Sequence, residues 1–417
     1  MKTRLLPFLL MLSLFTPLSI AQSYTFYDTY YGGRITALNA RSLSLGHTGV
    51  VSEPLAIALN PALSSGVKDL RLTTSLRVTQ ATENRAFPVH DSFEGFLTYN
   101  TYAMNTNYYD DFSFAVVKGF TYKYLPTIGL AWYPFSNLRY NYEEEIRGQE
   151  GEDMDRLIAK NLIKASGEIN ALSLSLSQGI TPWLGMGASL NILRGTAKRT
   201  KGTDFLDTTQ IDTTTVWENR SLKGSNISLG LTYKPSGRIR FGLSYRSKPT
   251  IEGDHIYQDF LGDSLIADTT LSYSLTYPWG VNFGVEYRPR SKLQTRVYLE
   301  TEFIRWSKLR AEPKDTSLLK LRDVWEIRGG VEHIFFNQIP TRFGFLYQPS
   351  PFGRDMAISS FTFGTGFETK GIKIDLGGEI GDREYRQEDL FPDGSELRKD
   401  RVKESLLKLI ATVSYKI

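Results

Sequence analysis

The chain contains no cysteine. Disulfides, thiol nucleophiles, iron–sulfur clusters and Cys-ligated zinc are therefore excluded, and so is a lipid anchor on a cysteine. Histidine is nearly as scarce, with His47, His90, His255 and His333 the only 4 in 417 residues. No two of them stand at metal-ligand spacing. They fall ahead of the strands (His47), in two expected loops (His90, His255) and in one strand (His333), so neither a metal site nor a Ser–His pair is expected. After the first twenty residues no apolar run approaches the ~20 residues that a spanning helix needs. An excess of one charge is missing too. There are 49 basic and 45 acidic side chains, a net +4, which is too mild a balance to argue for nucleic acid. No phosphate-binding loop is visible. Neither an enzyme nor a cofactor is expected.

What is present begins with an address. Lys2 and Arg4 precede an apolar stretch, Leu5 to Ile20, and Ser19-Ile20-Ala21 offers small residues where a signal peptidase reads. A signal peptide over 1–21 is expected, with export across the inner membrane. Residues 22–68 do not alternate; they are rich in Gly, Ala and Ser and carry Asn60-Pro61.

From residue 69 to 417 apolar and polar residues alternate in many short segments. Ala171 to Ser177 reads A-L-S-L-S-L-S. Ile227, Leu229, Leu231 and Tyr233 oppose Ser228, Gly230 and Thr232. Phe241, Leu243 and Tyr245 oppose Arg240, Gly242 and Ser244. Period two marks strands with one apolar and one polar face. Segments of roughly 9 to 12 residues match a tilted bilayer crossing. A polar face of Gly, Ser, Arg, Glu and Lys suits a wet lumen. Tyr233, Tyr245, Tyr277, Trp279, Tyr287, Trp306 and Tyr347 stand near segment ends, where interfacial girdles belong. Seven long links alternate with six short ones, which makes fourteen strands. The long links include Ala81–Asp110, Glu143–Ser166, Thr200–Lys223 and Ile251–Tyr273; Phe93–Tyr102 is either a strand or part of a loop. The expected fold is all-β: a 14-stranded antiparallel transmembrane β-barrel in the outer membrane, with residues 22–68 as an N-terminal hatch (plug) inside the lumen. The last strand, Leu407 to Ile417, is apolar at every odd position and would address the barrel insertion machinery. Glu286, Glu300, Glu302, Arg240, Arg246 and Arg296 are expected to pair with one another or with the plug. Asp110-Asp111 and Glu143-Glu144-Glu145 read as loop carboxylates, solvated or bridging lipopolysaccharide through divalent ions.

Short motifs then add a resemblance. Ala40 to Gly49 (A-R-S-L-S-L-G-H-T-G), followed by Ala56 to Ala62 (A-I-A-L-N-P-A), resembles the hatch of the FadL family of outer-membrane transporters for hydrophobic compounds. Arg240 to Lys248 (R-F-G-L-S-Y-R-S-K) is similar to the family's Y-R-S strand, and Trp279-Gly280 with Trp306-Ser307 to the strand pair that follows. The order of these motifs covers the whole mature chain. The resemblance implies uptake of fatty-acid-like or aromatic molecules by loop capture, hatch rearrangement and release through the wall. Hatch and gate would then be Asn60, Pro61 and Ala62. A kinked third strand, Thr127 to Tyr142, would open at Trp132, Tyr133, Pro134 and Phe135, because Pro134 cannot donate to the ladder; the other reading is a strand end at the rim. Met154, Leu157, Ile158, Leu162 and Ala165 fall at helical spacing, either as an apolar ligand-capture loop or as a helix folded on the rim. A PorV-like branch of the same fold serves protein secretion, so a secretion scaffold with secreted-protein partners, and an open porin, stay as alternatives.

Overall fold

The computed structural model describes residues 28–49, 57–122, 125–148, 155–207, 210–290, 294–312, 321–336, 339–392 and 399–417. The expected signal peptide and Met154 lie outside these. Fourteen wall strands follow one another around a closed antiparallel ring. They are β1 (Leu70–His90), β2 (Phe96–Lys118), β3 (Thr127–Asn137, then Tyr140–Arg147), β4 (Leu157–Thr181), β5 (Leu184–Phe205), β6 (Thr213–Ser236) and β7 (Ile239–Arg246, then Thr250–Leu261). The ring continues through β8 (Ser264–Thr276, then Gly280–Tyr287), β9 (Gln294–Ile304, then Arg310–Glu312), β10 (Val324–Phe335), β11 (Ile339–Gln348), β12 (Ile358–Thr369), β13 (Ile372–Glu388) and β14 (Lys399–Lys416). It closes where β14 pairs with β1, from Arg401↔Ala86 to Lys416↔Arg71.

Alternation sets the faces. Leu172, Leu174 and Leu176, Ile227 and Leu229, Phe343 and Phe345, and Leu407 and Leu409 all point out and are exposed. Ser173, Ser175, Ser228, Arg342 and Lys408 point in and are buried. An exposed apolar band this continuous calls for acyl chains rather than water. Aromatics flank it. Tyr245, Trp279, Phe303 and Trp325 touch in sequence across β7 to β10, at centroid distances of 6.4, 5.8 and 4.9 Å. Trp183, Tyr233 and Phe241 do the same toward the other end. Two of the expected girdle residues are not in a girdle. Tyr277 and Trp306 are buried in the lumen, where their strands break and turn the rings inward.

The long links also differ from expectation. Most of Ala81–Asp110, Thr200–Lys223 and Ile251–Tyr273 is strand, joined by short tips such as Gly262-Asp263, and Phe93–Tyr102 contains the start of β2. At ~3.3 Å per residue, the 25 residues of β4 run far beyond a ~30 Å hydrocarbon core. Outside the bilayer no apolar face is required, so pairing continues there without alternation. His255 therefore lies in β7 rather than a loop, and Asp110-Asp111 and Glu143 to Glu145 lie in strands. Asp111 is buried against Arg77 at 2.5 Å, Glu143 binds Lys160 at 2.6 Å, and Glu144 binds Asn161 at 2.6 Å.

Candidate functional site: the hatch, its seat and the wall beside it

Inside the ring lies the hatch. A short helix, α1 (Ala40–Ser44), is capped by Asn39, whose side chain accepts from the Ser42 amide at 2.8 Å. A 3₁₀ turn over Pro61–Ser64 is capped in the same way by Asn60, which accepts from the Ala62 amide at 3.0 Å. Pro61 suits the first helical position because its missing donor would be unpaired there anyway. Asn60, Pro61 and Ala62 are all buried against the wall.

The seat is made of glycines that point inward. A Cβ on Gly230 would lie 2.0 Å from Asn60 Oδ1, and one on Gly187 2.6 Å from the Ala62 amide. On the far wall, Gly344 would strike the Gly46 amide at 2.2 Å, Gly364 the Ser44 hydroxyl at 1.9 Å and Gly330 the Leu45 backbone at 2.7 Å. Glycine inside a strand weakens it unless another backbone must come close; here the hatch backbone does.

Ion pairs tie the hatch to one side of the barrel. Arg34 reaches Glu302 at 2.7 Å and Glu326 at 3.3 Å. Arg41 reaches Glu332 at 2.9 Å, which also receives Arg296 at 3.1 Å and Arg342 at 2.7 Å. Glu286 takes Arg240 at 3.0 Å, and Arg328 meets Glu300 at 3.0 Å. The lumenal charges expected to pair with each other or with the plug do both. His47 lies 2.7 Å from Glu379 and 2.5 Å from the Thr36 hydroxyl. Burial pushes its pKa down against the pull of Glu379, and Lys408 also reaches Glu379 at 2.9 Å. Toward β2–β5 the contacts are mainly apolar: Tyr31, Ile35, Leu38, Ile57 and Ala58 pack on Ala115, Val117, Ala131, Tyr133, Ile169 and Leu193, with hydrogen bonds from Ser113 to the Leu38 carbonyl at 3.1 Å and between Ser64 and Ser177 at 2.7 Å.

On that apolar side the wall is interrupted. β2 and β3 share backbone pairs only from Phe114↔Trp132 to Lys118↔Ile128. Trp132 faces out and stacks on Phe114 at 6.3 Å. Tyr133 faces in and is buried. At Pro134 the β3–β4 register slips, leaving Phe135 as a bulge, and Phe135 meets Tyr277 edge-on at 5.9 Å. Higher up, side chains replace the ladder: Asn105 donates to the Glu143 carbonyl at 3.1 Å and Asn107 to that of Asn141 at 2.8 Å. The hatch fills the space between. Its Gly33 and Arg34 pair antiparallel with Asn137 and Ser136, on the edge of β3 that β2 has left. Gly32 makes this approach possible, with φ +79° and no Cβ to strike Ser136.

Beside that seal lies a chamber of about 100 Å³, whose lining mixes apolar Tyr31, Ile35, Trp306, Phe352, Ile358 and Leu406 with Arg34, Arg77, His47, Glu326, Arg383 and Lys408. A second cavity, between Pro134, Phe112 and hatch residues Ile35 to Leu38, holds about 10 Å³.

A family model described as outer membrane protein transport protein (OMPP1/FadL/TodX) matches residues 127–360, more than half of the chain. The chain belongs to the OMPP1/FadL/TodX family. Among solved structures it resembles a FadL homologue of Pseudomonas aeruginosa (TM-score 0.66, 12% identity, 92% of this chain and 99% of that one). It also resembles the P. putida toluene transporter TodX (0.64, 14%, 92% and 99%) and the Ralstonia pickettii toluene transporter TbuX (0.62, 15%, 92% and 99%). At such identities the likeness shows the fold. No curated protein sequence matches.

As a FadL-family barrel the chain departs from expectation in its capture loop. Leu157, Ile158 and Leu162 belong to strand β4, not to a helical loop, because alternate residues Ala159, Asn161 and Ile163 are buried inside the ring. Apolar residues on both faces imitate helical spacing. Sequence reasoning brought Asn60–Ala62 and Trp132–Phe135 forward, and the fold sets them on different parts of one hatch–wall contact. It placed Arg41 and His47 in the hatch motif without a partner, and it did not single out Gly32–Arg34. Their partners could be sought only at inward glycines, of which Gly187, Gly230, Gly330, Gly344 and Gly364 mark places where the FadL-type hatch touches.

Proposed function

We propose that this outer-membrane barrel takes up apolar small molecules, fatty-acid-like or aromatic, and releases them sideways through its wall. The carrying observation is that the wall gap between β2 and β3 is sealed by the hatch's own Gly33–Arg34 pairing with β3. Any hatch shift that breaks those bonds uncovers β3 next to the chamber. The neighbouring hatch contacts are apolar packing with single hydrogen bonds, such as Ser113 to the Leu38 carbonyl and Tyr277 to the Tyr31 carbonyl, and no ion pair joins the hatch to β2–β5 among the described residues. Pro134 keeps the edge from resealing because it has no amide to offer. Toluene-transporting relatives share this fold. The chamber, about 100 Å³, is smaller than the ~150 Å³ cavity known to take benzene, so a ring enters only when the hatch moves. The same reading assigns 1–21 to an export signal, 22–68 to the hatch and 69–417 to the barrel, in a Gram-negative outer membrane with its lipopolysaccharide. Asn60–Ala62 would carry the hatch movement, and Trp132–Phe135 would line the exit.

The test is uptake of labelled toluene and decanoate by cells making the protein. Pro61→Gly, which loosens the capped turn, and Tyr133→Glu, which charges the exit, should each lower uptake about tenfold. Unchanged uptake in both variants sinks the reading. One observation favours a second role. Phe93, Phe96, Leu97 and Ile266 are exposed on the projecting hairpins, as a scaffold for secreted proteins would want. Secreted proteins co-purifying with wild type but not with Phe93→Ser/Leu97→Ser would support that role.

A further inference from the structure

The upper edge of the lipid-facing band is basic on one side of the barrel. On β6 the outward residues Tyr233, Leu231, Leu229 and Ile227 face the acyl chains, and β5 sets Leu184, Met186, Ala188 and Leu190 beside them in register. Ten residues beyond Tyr233 and Leu184 stand Lys223 and Arg194. At ~3.3 Å per residue and a tilt of about 40°, that is a height of about 25 Å, the full depth of an apolar band. The two cations therefore stand where the hydrocarbon ends, on the side away from the short turns.

The belt continues toward β9. Lys248 lies in the break of β7, three residues past the girdle ring of Tyr245. Arg305 and Lys308 lie in the break of β9, just past the girdle ring of Phe303, and Arg310 opens the second half of β9 opposite Thr276. All six side chains are exposed.

Two features set these cations apart. Arg194 and Lys223 face each other directly across β5 and β6, and like charges so placed repel unless an anion lies between them. The arginines of the lumen meet carboxylates, as Arg34, Arg41, Arg328 and Arg342 do. Among the described residues none of the six forms an ion pair. Arg194 and Arg310 donate only to carbonyls, those of Leu193 at 2.9 Å and of Ser307 and Leu309 at 3.1 and 2.6 Å. Three carboxylates stand near: Glu252 in register with Lys223, Glu312 close to Arg310, and Asp323, which accepts from the Ser307 amide at 2.9 Å. The belt stays cationic with all three counted. On the opposite wall the same height carries mixed signs, with Asp382, Glu384, Arg401 and Lys403 side by side on β13 and β14.

We propose that this belt binds the phosphate groups of outer-leaflet lipid headgroups, with a phosphorylated glycolipid laying its acyl chains on β5 and β6 and its phosphates between Arg194, Lys223 and Lys248. Guanidinium and ammonium groups at the end of an acyl-facing surface are matched to an anion that ends an acyl chain. The inference shares the membrane placement of the uptake reading and needs no transport. The test titrates the detergent-purified full chain with diphosphoryl lipid A in mixed micelles and reads binding by microscale thermophoresis. Arg194→Gln/Lys223→Gln should raise Kd about tenfold, and Lys399→Gln/Lys403→Gln on the opposite wall should change it less than twofold. Lys223→Arg, which keeps the charge, should bind as wild type does, and heat-modifiable migration should show every variant folded. Phosphatidylcholine should not bind, and high salt should weaken lipid A binding. Equal loss in the two double variants, or loss in Lys223→Arg, overturns the proposal. Displacement by inorganic phosphate would mark a small-ion site, and equal binding of polyglutamate an acidic protein partner; either sinks the lipid assignment. Toluene uptake should be the same in both double variants, so a wild type that takes up nothing refutes transport and leaves the lipid A titration to decide the belt.

Discussion

Leu229 and Ser228 are chain neighbours with opposite surroundings: Leu229 is 49% exposed and Ser228 2%. Leu229→Arg puts a charge among acyl chains and should cost about 2–4 kcal/mol near mid-bilayer, whereas Ser228→Arg meets the lumen and should cost much less. Equilibrium unfolding of the refolded barrel in urea separates the two, and equal penalties would reverse the assignment of faces. This face pattern was legible in the sequence because lipid demands an apolar residue at every second position. The seat glycines were legible only as a weak excess, since a missing side chain does not say what replaces it. Gly344→Leu should unseat the hatch without unfolding the wall, because its hardest clashes, at 2.2 and 2.5 Å, are with the Gly46 and Leu45 backbone, whereas the neighbouring strand meets it only with the Thr362 hydroxyl at 2.6 Å. Trypsin should then cleave after Arg41 while the barrel keeps its heat-modifiable migration on gels; protection equal to wild type would show that the seat tolerates the leucine.

Among the elements, β3 decides the most. Its proline, its bulge and its lost ladder follow from residues 134–139, and Pro134 in an otherwise strand-like run marked the place in advance. The sequence could not show that the hatch supplies the missing partner, because Gly33 and Arg34 lie about a hundred residues earlier and pair through backbone alone. Arg139 braces the same gap by donating to the Asp110 carbonyl at 3.2 Å and pairing with Glu168. Arg139→Ala should speed amide exchange in β2 around residues 104–112. Exchange as slow as in wild type would mean that Arg139 is no brace. The projecting hairpins and the strand at Leu157–Ala165 were misread for one shared reason. Outside the bilayer, and inside an apolar nest, a strand has no obligation to alternate, so period two fades and chance spacings resemble loops or a helix.

Taken whole, the molecule is a closed cylinder with a stopper held by ion pairs on one side and by apolar packing, one short backbone pairing and a few hydrogen bonds on the other. The fastening is redundant: after Arg34→Ala, Glu302 and Glu326 keep Arg328, and after Arg41→Ala, Glu332 keeps Arg296 and Arg342. Single changes should therefore be mild, well short of the ~3–5 kcal/mol for stranding a buried charge. The double change Arg34→Ala/Arg41→Ala should loosen the stopper. In planar bilayers wild type should pass little steady current, and the double variant should pass bursts. A wild-type protein with large steady conductance would instead be an open porin.

The glycine contacts also bear on how such barrels diverge. Stopper and cylinder are moulded to each other at backbone resolution on β5, β6 and β10 to β12, so neither half can drift without the other. Grafting the first mature segment of a distant relative into this cylinder should yield a chimera that inserts and leaks, and compensating changes should surface at Gly187, Gly230, Gly330, Gly344 and Gly364 before they surface at any lipid-facing position.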